Sequence, residues 1–365
     1  MSRRIGSKKH KSILFKFLVV LILLGFIAFL YCADQDITPM EAAQYLLGQI
    51  DLPQLPEMPQ LPEMPHLSKI SDLHLFGTHE PEAEPSASPA VTVSPSPGFP
   101  SGEILQKSGM HAYILDVGQG NCAFLCSPGG YTMLIDTGES SYYDTVHAFL
   151  QEQGVSRLDV VVATHPHSDH IGSMAKIIQN YDIGVFYMPD KPHTTALYEA
   201  MLAALEKRQV QVVAAYGGKE ASIPWDPLVT VQILSPIKGV SYEDLNNVSV
   251  VLRIAYAETS ILLPGDAESF AEETMLAKLP RSVFLSTVLC IGHHGSASSA
   301  SDAFLQAVDP SLAVISVGAG NDYGHPSGEV LERLARYGIP CFRTDESGTI
   351  HLLLNGQKVQ AETEK

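Results

Sequence analysis

From residue 111 onward, short apolar runs alternate with amphipathic stretches. Apolar, β-branched runs of about four to eight residues next to Gly or Pro indicate strands, whereas apolar residues spaced by three and four indicate helices. Strands are predicted at residues 111–115, 123–126, 131–135, 160–163, 210–214, 229–234, 249–256, 260–263, 287–291, 313–317, 340–343 and 349–353. Helices are predicted at residues 143–153, 171–181, 196–208, 267–279, 301–307 and 328–337.

The order of these elements predicts the fold class. The first strands are joined by tight turns at Gly118-Gln119-Gly120 and Pro128-Gly129-Gly130, which is typical of antiparallel hairpins. Later strands alternate with helices. Hairpins followed by strand–helix alternation predict an α/β domain in which a mixed sheet is covered by helices.

The longest apolar run, residues 17–33, carries no charge and follows six basic residues. Its length is close to the lower limit of about 17 to 20 residues for crossing a bilayer. Because basic clusters stay in the cytoplasm, we predict a cytoplasmic segment at residues 1–16, a single transmembrane anchor at 17–33 and an extracytoplasmic remainder. The alternative is a cleaved signal peptide, although the run exceeds the usual apolar core of about 7 to 15 residues.

Residues 34–108 are predicted to form a linker, because they are rich in proline. Residues 52–65 read LPQLPEMPQLPEMP, with proline at every third position. Such spacing favours an extended polyproline II helix, which has no hydrogen-bonded core. This stalk leaves residues 109–365 as the globular domain.

Charge narrows the range of partners for that domain. Residues 109–365 hold 29 acidic and 15 basic residues, a net charge of about −14. Tight sequence-independent binding to nucleic acid depends on Lys and Arg side chains that neutralise phosphates. We therefore expect no tight nonspecific binding of nucleic acid, although a locally basic groove is compatible with the sequence.

The strongest chemical signal directly follows the predicted strand at 160–163. It reads Thr164-His165-Pro166-His167-Ser168-Asp169-His170. Imidazoles and a carboxylate are ligands that suit Zn²⁺ or a similar divalent ion, and a loop can turn them toward one point. Asp169 is also the best candidate to orient an attacking water. The alternative interpretation is a solvated polar loop.

Two further strand ends carry candidate ligands. Asp266 follows the apolar run 260–263 in a Pro-Gly-Asp turn, where its carboxylate could bridge two cations or could simply cap the next helix. His293 and His294 follow the predicted strand 287–291. We expect one of them to be a ligand, and the residues do not decide which. The other could be an acid, a substrate contact or a packed imidazole.

Polar loops near the C-terminus supply candidate substrate contacts. Ser296 follows the paired histidines, and Asn321 lies after the predicted strand 313–317. Both are predicted to bind substrate. His325 is a candidate proton donor or substrate contact, with a purely structural role as the alternative.

Together these motifs resemble a known family, the metallo-β-lactamase-fold domain that forms the soluble part of the ComEC-type competence proteins. The resemblance covers almost all of residues 111–354, and the matching stretches follow one another in the family's order. It implies an αββα sandwich and a two-metal site, with Zn or Mn, held by His165, His167, Asp169, His170, Asp266 and one of His293 and His294. The matching stretches are Leu115-Asp116-Val117-Gly118-Gln119-Gly120, Leu134-Ile135-Asp136-Thr137-Gly138, the histidine motif, Asn246-Asn247-Val248-Ser249, Pro264-Gly265-Asp266, His293-His294-Gly295-Ser296, Tyr323-Gly324-His325-Pro326 and Arg343-Thr344-Asp345.

Two departures from the family pattern lie close to the predicted site. Asn121 stands where the family commonly has aspartate, which removes a charge. Asn246 and Asn247 stand where many metallo-β-lactamase relatives carry a histidine, a difference that the competence group shares. One metal position is therefore expected to have fewer protein ligands.

The predicted function is that of a membrane-anchored, extracytoplasmic hydrolase that depends on two divalent metal ions. Cations that share Asp266 would lower the pKa of a bound water toward neutrality. The resemblance favours a phosphodiester substrate, either nucleic acid or a phosphorylated envelope component. The alternatives are hydrolysis of lactone, ester or thioester bonds, because the fold does not choose among them, and a non-catalytic surface module stabilised by metal.

Overall fold

The computed structural model describes residues 91–93 and 109–365. The predicted cytoplasmic segment 1–16, the predicted anchor 17–33 and the predicted linker 34–108 lie outside the described residues, except for 91–93. Within the described part of the chain, no helix is both long enough and apolar enough to cross a bilayer.

A larger sheet of nine strands forms one layer of the described domain. Its strands follow the order β1-β15-β14-β2-β3-β4-β5-β6-β7. Strands β4 to β7 run parallel, so the carboxyl ends of β4, β5, β6 and β7 lie along one edge. The strands are β1 (Val91–Val93), β2 (Met110–Ile114), β3 (Ala123–Cys126), β4 (Thr132–Ile135), β5 (Arg157–Val162), β6 (Asp182–Pro189), β7 (Gln211–Ala215), β14 (Ile350–Leu354) and β15 (Val359–Thr363).

A smaller sheet of six strands forms the facing layer, in the order β13-β12-β11-β10-β9-β8. Strands β10 to β13 are parallel, and β8 and β9 pair antiparallel at the other side. Its strands are β8 (Val229–Ser235), β9 (Val251–Tyr256), β10 (Thr259–Leu263), β11 (Val288–Cys290), β12 (Leu312–Ile315) and β13 (Cys341–Arg343).

Helices cover the outer face of each sheet. The first four accompany the larger sheet and the next three the smaller one, as their buried side chains show. The helices are α1 (Tyr143–Glu152), α2 (Ser168–Ile171), α3 (Met174–Asn180), α4 (Ala196–Arg208), α5 (Ser269–Lys278), α6 (Asp302–Val308), α7 (Gly328–Arg336) and the short α8 (Thr344–Ser347).

Three buried clusters show how the layers are stacked. Alternating residues of both sheets, such as Leu125 and Leu252, meet in a core between the sheets. A second core lies between the larger sheet and its helices, and a third between the smaller sheet and its helices. Successive strand residues point to opposite faces, so both faces of each sheet are buried. The order of layers is helix, sheet, sheet, helix, as predicted.

The structure corrects several element predictions. Strands β6 and β15 were not predicted, because β6 contains Gly184 and ends in Pro189, and β15 has only two apolar residues, Val359 and Ala361. Gly184 lets β6 approach its neighbour, since a Cβ there would lie 2.5 Å from the Asp159 carbonyl oxygen. Strand β1 lies within the predicted linker and pairs with β15. A linker without hydrogen-bonded structure is therefore wrong for these three residues.

The helix predicted at 171–181 is also wrong as one element. It is two helices, α2 and α3, separated at Gly172 and Ser173. The chain at residues 139 and 140 passes so close that a Cβ on Gly172 would lie 2.4 Å from the Ser140 nitrogen. The Ser173 hydroxyl donates to the Glu139 carbonyl at 2.8 Å. The histidine loop is thereby tied to the chain that follows β4.

Candidate metal centre

The candidate site lies where parallel strands of both sheets end. The 164–170 loop follows β5, Asp266 follows β10, and His293 and His294 follow β11. Because the carboxyl ends of parallel strands meet at one edge of a sheet, residues far apart in sequence converge here. The three motifs that the sequence singled out therefore form one cluster.

One half of the cluster consists of two imidazoles from the same loop. His165 Nε2 lies 3.0 Å from His167 Nδ1. Two nitrogens bound to one tetrahedral Zn²⁺ at about 2.0 to 2.1 Å would be roughly 3.3 Å apart. The pair is thus spaced to share a cation. The hydroxyls of Thr164 and Ser249 lie 3.2 and 3.4 Å from His165 Nδ1 and fix its ring.

The other half combines Asp169, His170, Asp266 and His294. One ligand atom from each residue lies within 4.8 Å of all the others. The Nε2 of His294 is 3.1 Å from Asp169 Oδ2, and the Nε2 of His170 is 3.1 Å from Asp266 Oδ2. Two carboxylates and two imidazoles form a mixed N/O donor set of the kind that binds divalent transition metals.

Asp266 joins the two halves. Its Oδ2 is 3.1 Å from His170 Nε2, 3.6 Å from His294 Nε2 and 3.8 Å from His165 Nε2. Gly265, with φ of +57°, makes this approach feasible, because a Cβ there would lie 2.9 Å from the Thr164 Cβ. The carboxylate is therefore placed beside imidazoles of both halves of the cluster.

Asp136 holds the histidine loop from the end of β4. Its Oδ2 accepts from His170 Nδ1 at 2.7 Å and from the Thr164 hydroxyl at 2.7 Å, and its Oδ1 accepts from the Thr164 amide at 2.8 Å. A carboxylate on the far nitrogen fixes the tautomer of a ligand histidine and raises its basicity. Asp136 belongs to the Leu134-Ile135-Asp136-Thr137-Gly138 stretch, whose sequence alone indicates no role for this carboxylate.

Asn121, the first departure from the family pattern, contacts the bridging carboxylate. Its Nδ2 donates to Asp266 Oδ1 at 3.4 Å. An amide can donate this bond, whereas an ionised aspartate could only accept. Asn121 therefore helps to turn Oδ2 of Asp266 toward the imidazoles.

The paired histidines have different surroundings. The His294 side chain is 2% exposed, and its Nδ1 donates to the Ser316 carbonyl at 3.0 Å, which leaves Nε2 facing Asp169. The His293 side chain is 24% exposed, and its Nδ1 donates to Glu268 Oε1 at 3.0 Å. His294 thus lies among the candidate ligands, while His293 lies at the side of the cleft.

Asn246 and Asn247 are also adjacent residues with different surroundings, since only one of them faces the cleft. Asn247 caps α5, because its Oδ1 accepts from the amides of Glu268 and Ala271. Asn246 faces the cleft, where its Nδ2 is 3.5 Å from His293 Nε2. Of the two asparagines, Asn246 therefore lines the cleft, whereas Asn247 stabilises the start of α5.

The predicted substrate contacts are only partly brought together. His325 lines the cleft with Gln119, Asn246 and Tyr323. Ser296 and Asn321 are not among the residues that line the cleft. The Ser296 hydroxyl pairs with that of Ser298 at 2.9 Å, and Asn321 holds the loop by bonding both the amide and the carbonyl of His325. Asn321 acts on the cleft only through His325.

Burial and opposite charges shift the titration of the cluster. Burial acts to raise the pKa of Asp266, but His170 and His294 hold it well below its ordinary value. For Asp169 the same opposition, with His294 and His170 as partners, lowers the pKa to about 2. Burial acts to lower the pKa of His170, but Asp266 and Asp136 raise it well above the ordinary value.

These side chains fit a bound metal. His170 Nε2 is buried and lies 3.1 Å from Asp266 Oδ2 and 3.8 Å from Asp169 Oδ2, while its Nδ1 is committed to Asp136. A proton on that nitrogen would occupy the place where a cation could bind, and metal binding displaces such protons. Burial holds the pKa of His165 well below its ordinary value, which favours the neutral imidazole that metal ligation requires.

The cleft above the cluster is open and polar. It has a volume of about 310 Å³, and none of its lining residues is aliphatic. The Tyr323 ring at the rim stacks near His325, with ring centres 5.8 Å apart. Tyr323 is 72% exposed. Such a cleft suits a polar or charged substrate rather than an apolar one.

Comparison with known proteins places these observations in a family. Residues 115–319 match the metallo-beta-lactamase superfamily. ComE operon protein 3 of Bacillus subtilis is 30% identical over 254 residues, which are 65% of this chain and 32% of that protein. Competence protein ComA of Neisseria gonorrhoeae is 31% identical over 288 residues, 79% of this chain and 35% of that protein.

Recombination protein 2 of Haemophilus influenzae is likewise 31% identical, over 68% of this chain and 29% of that protein. The chain thus spans about a third of the length of each of these curated relatives. The resemblance predicted from the motifs is confirmed at the level of family and of competence-type relatives.

Proposed function

Since the chain belongs to the metallo-beta-lactamase superfamily, we propose that it is a membrane-anchored, extracytoplasmic hydrolase that cleaves phosphodiester bonds with two divalent metal ions. Superfamily membership and the His/Asp cluster support a metal-dependent hydrolase. The proposal goes beyond a metal-dependent hydrolase in four respects: the membrane anchor, the compartment, the number of metal ions and the bond that is cleaved. The main support for two ions is the position of Asp266 Oδ2, which lies between imidazoles of both halves of the cluster.

The proposal divides the ligands between two positions. His165 and His167 would hold one ion, Asp169, His170 and His294 the other, and Asp266 would bridge them. Divalent ions bound in this way lower the pKa of a bound water and polarise a phosphoryl oxygen. Zn²⁺ and Mn²⁺ both fit the mixed N/O donors, so the ligand chemistry does not separate them.

Side chains that line the cleft would orient the water and bind the substrate. Asp169 lines the cleft and would orient the attacking water. His325 and His293 face the same space and would contact the non-bridging oxygens or the leaving oxygen of the substrate. Burial and the nearby rings of His293 and His294 lower the pKa of His325, which favours substrate contact over proton donation at neutral pH.

The polar lining of the cleft supports a phosphodiester over a lactone, ester or thioester. Small carboxyl esters gain binding energy mainly from apolar walls, which this cleft lacks. Imidazole and amide side chains can instead donate hydrogen bonds to phosphate oxygens. Nucleic acid and a phosphorylated envelope polymer both carry such a bond.

A substrate panel tests the reaction class. The purified full chain should hydrolyse bis-p-nitrophenyl phosphate in the presence of Mn²⁺ or Zn²⁺, and faster than p-nitrophenyl acetate, a homoserine lactone or a thioester. Chelation should abolish the reaction. Faster turnover of the carboxyl esters would contradict the phosphodiester assignment, and bound metal without turnover of any substrate would indicate a non-catalytic module.

The proposed topology is tested on intact cells. The predicted anchor at 17–33 places the domain outside the cytoplasm, and the proline-rich linker should be open to protease. Added protease should therefore release a soluble fragment that reacts with an antibody against the C-terminal domain. A domain that stays protected until the cells are lysed would refute this orientation, and a domain found in the medium without protease would indicate a cleaved signal peptide.

A further inference from the structure

Gln119 faces the metal cleft, and it has no part in the proposed cluster of metal ligands. It lies at the centre of the Gly118-Gln119-Gly120 turn between β2 and β3. This turn packs directly against the histidine loop, because a Cβ on Gly120 would lie 2.5 Å from the Asp169 carbonyl oxygen. The backbone of Gln119 is therefore fixed beside one of the proposed metal ligands.

The two ends of the Gln119 side-chain amide have different surroundings. Its Oε1 accepts a hydrogen bond from the Gly318 amide at 3.1 Å. A side-chain amide also carries two N–H donors. Within residues 109–365, no protein group accepts a hydrogen bond from Nε2 of Gln119. Since the bond from Gly318 identifies the oxygen end of the amide, Nε2 is the end that remains available to a bound ligand.

Asn321 connects the same glycine to His325, which also lines the cleft. The Nδ2 of Asn321 donates to the carbonyls of Gly318 at 2.9 Å and of His325 at 2.6 Å. Its Oδ1 accepts from the amides of Tyr323 at 3.1 Å and of His325 at 3.0 Å. One side chain thus makes four hydrogen bonds, which is the full capacity of a primary amide. A hydrogen-bonded path therefore runs from Gln119 through Gly318 and Asn321 to His325.

Gly318, in the middle of this path, is held in place on both sides. The amide of the preceding residue, Val317, donates to Thr344 Oγ1 at 2.8 Å, and the Val317 carbonyl accepts from the same hydroxyl at 2.9 Å. A Cβ on Gly318 would lie 2.6 Å from the Gln119 backbone nitrogen, so this close approach requires glycine. The loop is therefore fixed at its start, and the Asn321 side chain holds the part that follows.

We propose that Gln119 and His325 bind the substrate together, each donating a hydrogen bond to an oxygen of the reacting ester group, and that Asn321 positions His325 without touching substrate. The inference rests on the proposed hydrolase function and adds the residues that hold the substrate beside the metal ions. Because Gly318 occupies the oxygen of Gln119, this side chain offers only donors to the cleft. Such donors contact the oxygens of a substrate and not a cation.

Two variants separate substrate binding by Gln119 from support of the loop. Gln119→Glu keeps an oxygen that can accept from Gly318 but loses the N–H donors, whereas Gln119→Met loses both without adding a charge. Both should raise the KM for bis-p-nitrophenyl phosphate with Mn²⁺ by roughly 10-fold, the loss expected for one hydrogen bond to a charged group, and leave the metal content unchanged. A rise in Gln119→Met alone would mean that only the bond to Gly318 matters, and a rise in Gln119→Glu alone would mean charge repulsion. Either result would overturn the proposal.

The role of Asn321 is tested by its dependence on His325. Asn321→Ala should raise the same KM by roughly 10-fold in the otherwise unchanged chain, but by less than about 2-fold in a chain that already carries His325→Ala, because residues that act through one another have non-additive effects. Asn355→Ala is the matched control, since Asn355 Oδ1 also accepts from two backbone amides, in the turn between β14 and β15. Its KM should equal that of the wild type. Equal loss in both backgrounds, or the same loss in the control, would contradict a positioning role.

Hydrogen exchange tests the path independently of turnover. The Gly318 amide should exchange faster in Gln119→Met, and the amides of Tyr323 and His325 faster in Asn321→Ala, because each loses its acceptor. Unchanged exchange would overturn the path, whatever bond the protein cleaves. If the chain hydrolyses p-nitrophenyl acetate and no phosphodiester, the proposed reaction class fails, but the same variants should still raise the KM for that ester, because its carbonyl also presents an oxygen. An unchanged KM would then overturn the inference as well.

Discussion

Replacing Asp266 by alanine is expected to remove metal from the protein and abolish hydrolysis. The wild-type chain should copurify with about one to two equivalents of a divalent transition metal per chain, because one of the two proposed positions has fewer protein ligands. Asp266 Oδ2 lies within 3.8 Å of three imidazole nitrogens, so its loss affects both proposed positions. Turnover should fall by more than the roughly 10- to 100-fold that the loss of an outer partner costs. Elemental analysis and the rate on the best substrate measure both effects.

Asp226→Ala is the matched control for this variant. Asp226 is also a buried aspartate, but it accepts from the amides of Gly129 and Leu228 and has no contact with the histidines. Its loss should lower the melting temperature and leave the metal content per folded chain unchanged. If Asp266→Ala retained full metal, or if the wild type bound none in metal-replete medium, the proposed centre would be wrong.

Alanine variants of the two paired histidines, His293 and His294, are expected to lose different properties. His294→Ala is expected to lose metal and activity together, because His294 is buried and its Nε2 is 3.1 Å from Asp169 Oδ2. His293→Ala should keep its metal and lose mainly turnover, by about 10²- to 10⁴-fold if the ring acts as an acid or tightly held substrate contact. Metal content, melting temperature and rate are measured on both variants.

Other patterns of loss distinguish the remaining roles. Metal loss in His293→Ala with metal retained in His294→Ala would reverse the assignment made from the structure. Two variants with full metal and near wild-type rate would exclude both rings from the site. A lowered melting temperature with unchanged specific activity would mean that the ring in question only supports the loop.

Much of the site could be predicted from the sequence, because its ligands are concentrated in short motifs. Four of the proposed ligands lie within residues 165–170, a density of imidazole and carboxylate that a chance sequence rarely contains. Asp266 and the paired histidines each follow an apolar strand. The apolar periodicity likewise predicted most strands and the layered fold. A buried strand needs a continuous apolar run, and a helix that covers a sheet needs an apolar face.

Only the tertiary structure decided which histidine of the pair faces the cluster. His293 and His294 are adjacent and chemically identical, but the Nδ1 of His293 bonds to Glu268 and the Nδ1 of His294 to the Ser316 carbonyl, and these partners come from distant segments. The roles of Asp136 and Asn121 were hidden for the same reason, because each acts through a hydrogen bond to a residue far away in sequence.

A cavity of about 440 Å³ at the ends of β6, β7 and β8 is a further case of such dependence on the fold. Lys191, Tyr216 and Lys238 belong to three separate connections, and no spacing in the sequence relates them. Strand β6, which carries Lys191 to the cavity, was itself missed, because glycine and proline interrupt its pattern. Motifs reveal ligands here because four of the donors lie close together in the chain and the others directly follow strands. A surface built from single residues of parallel strands exists only after the sheet has brought their ends side by side.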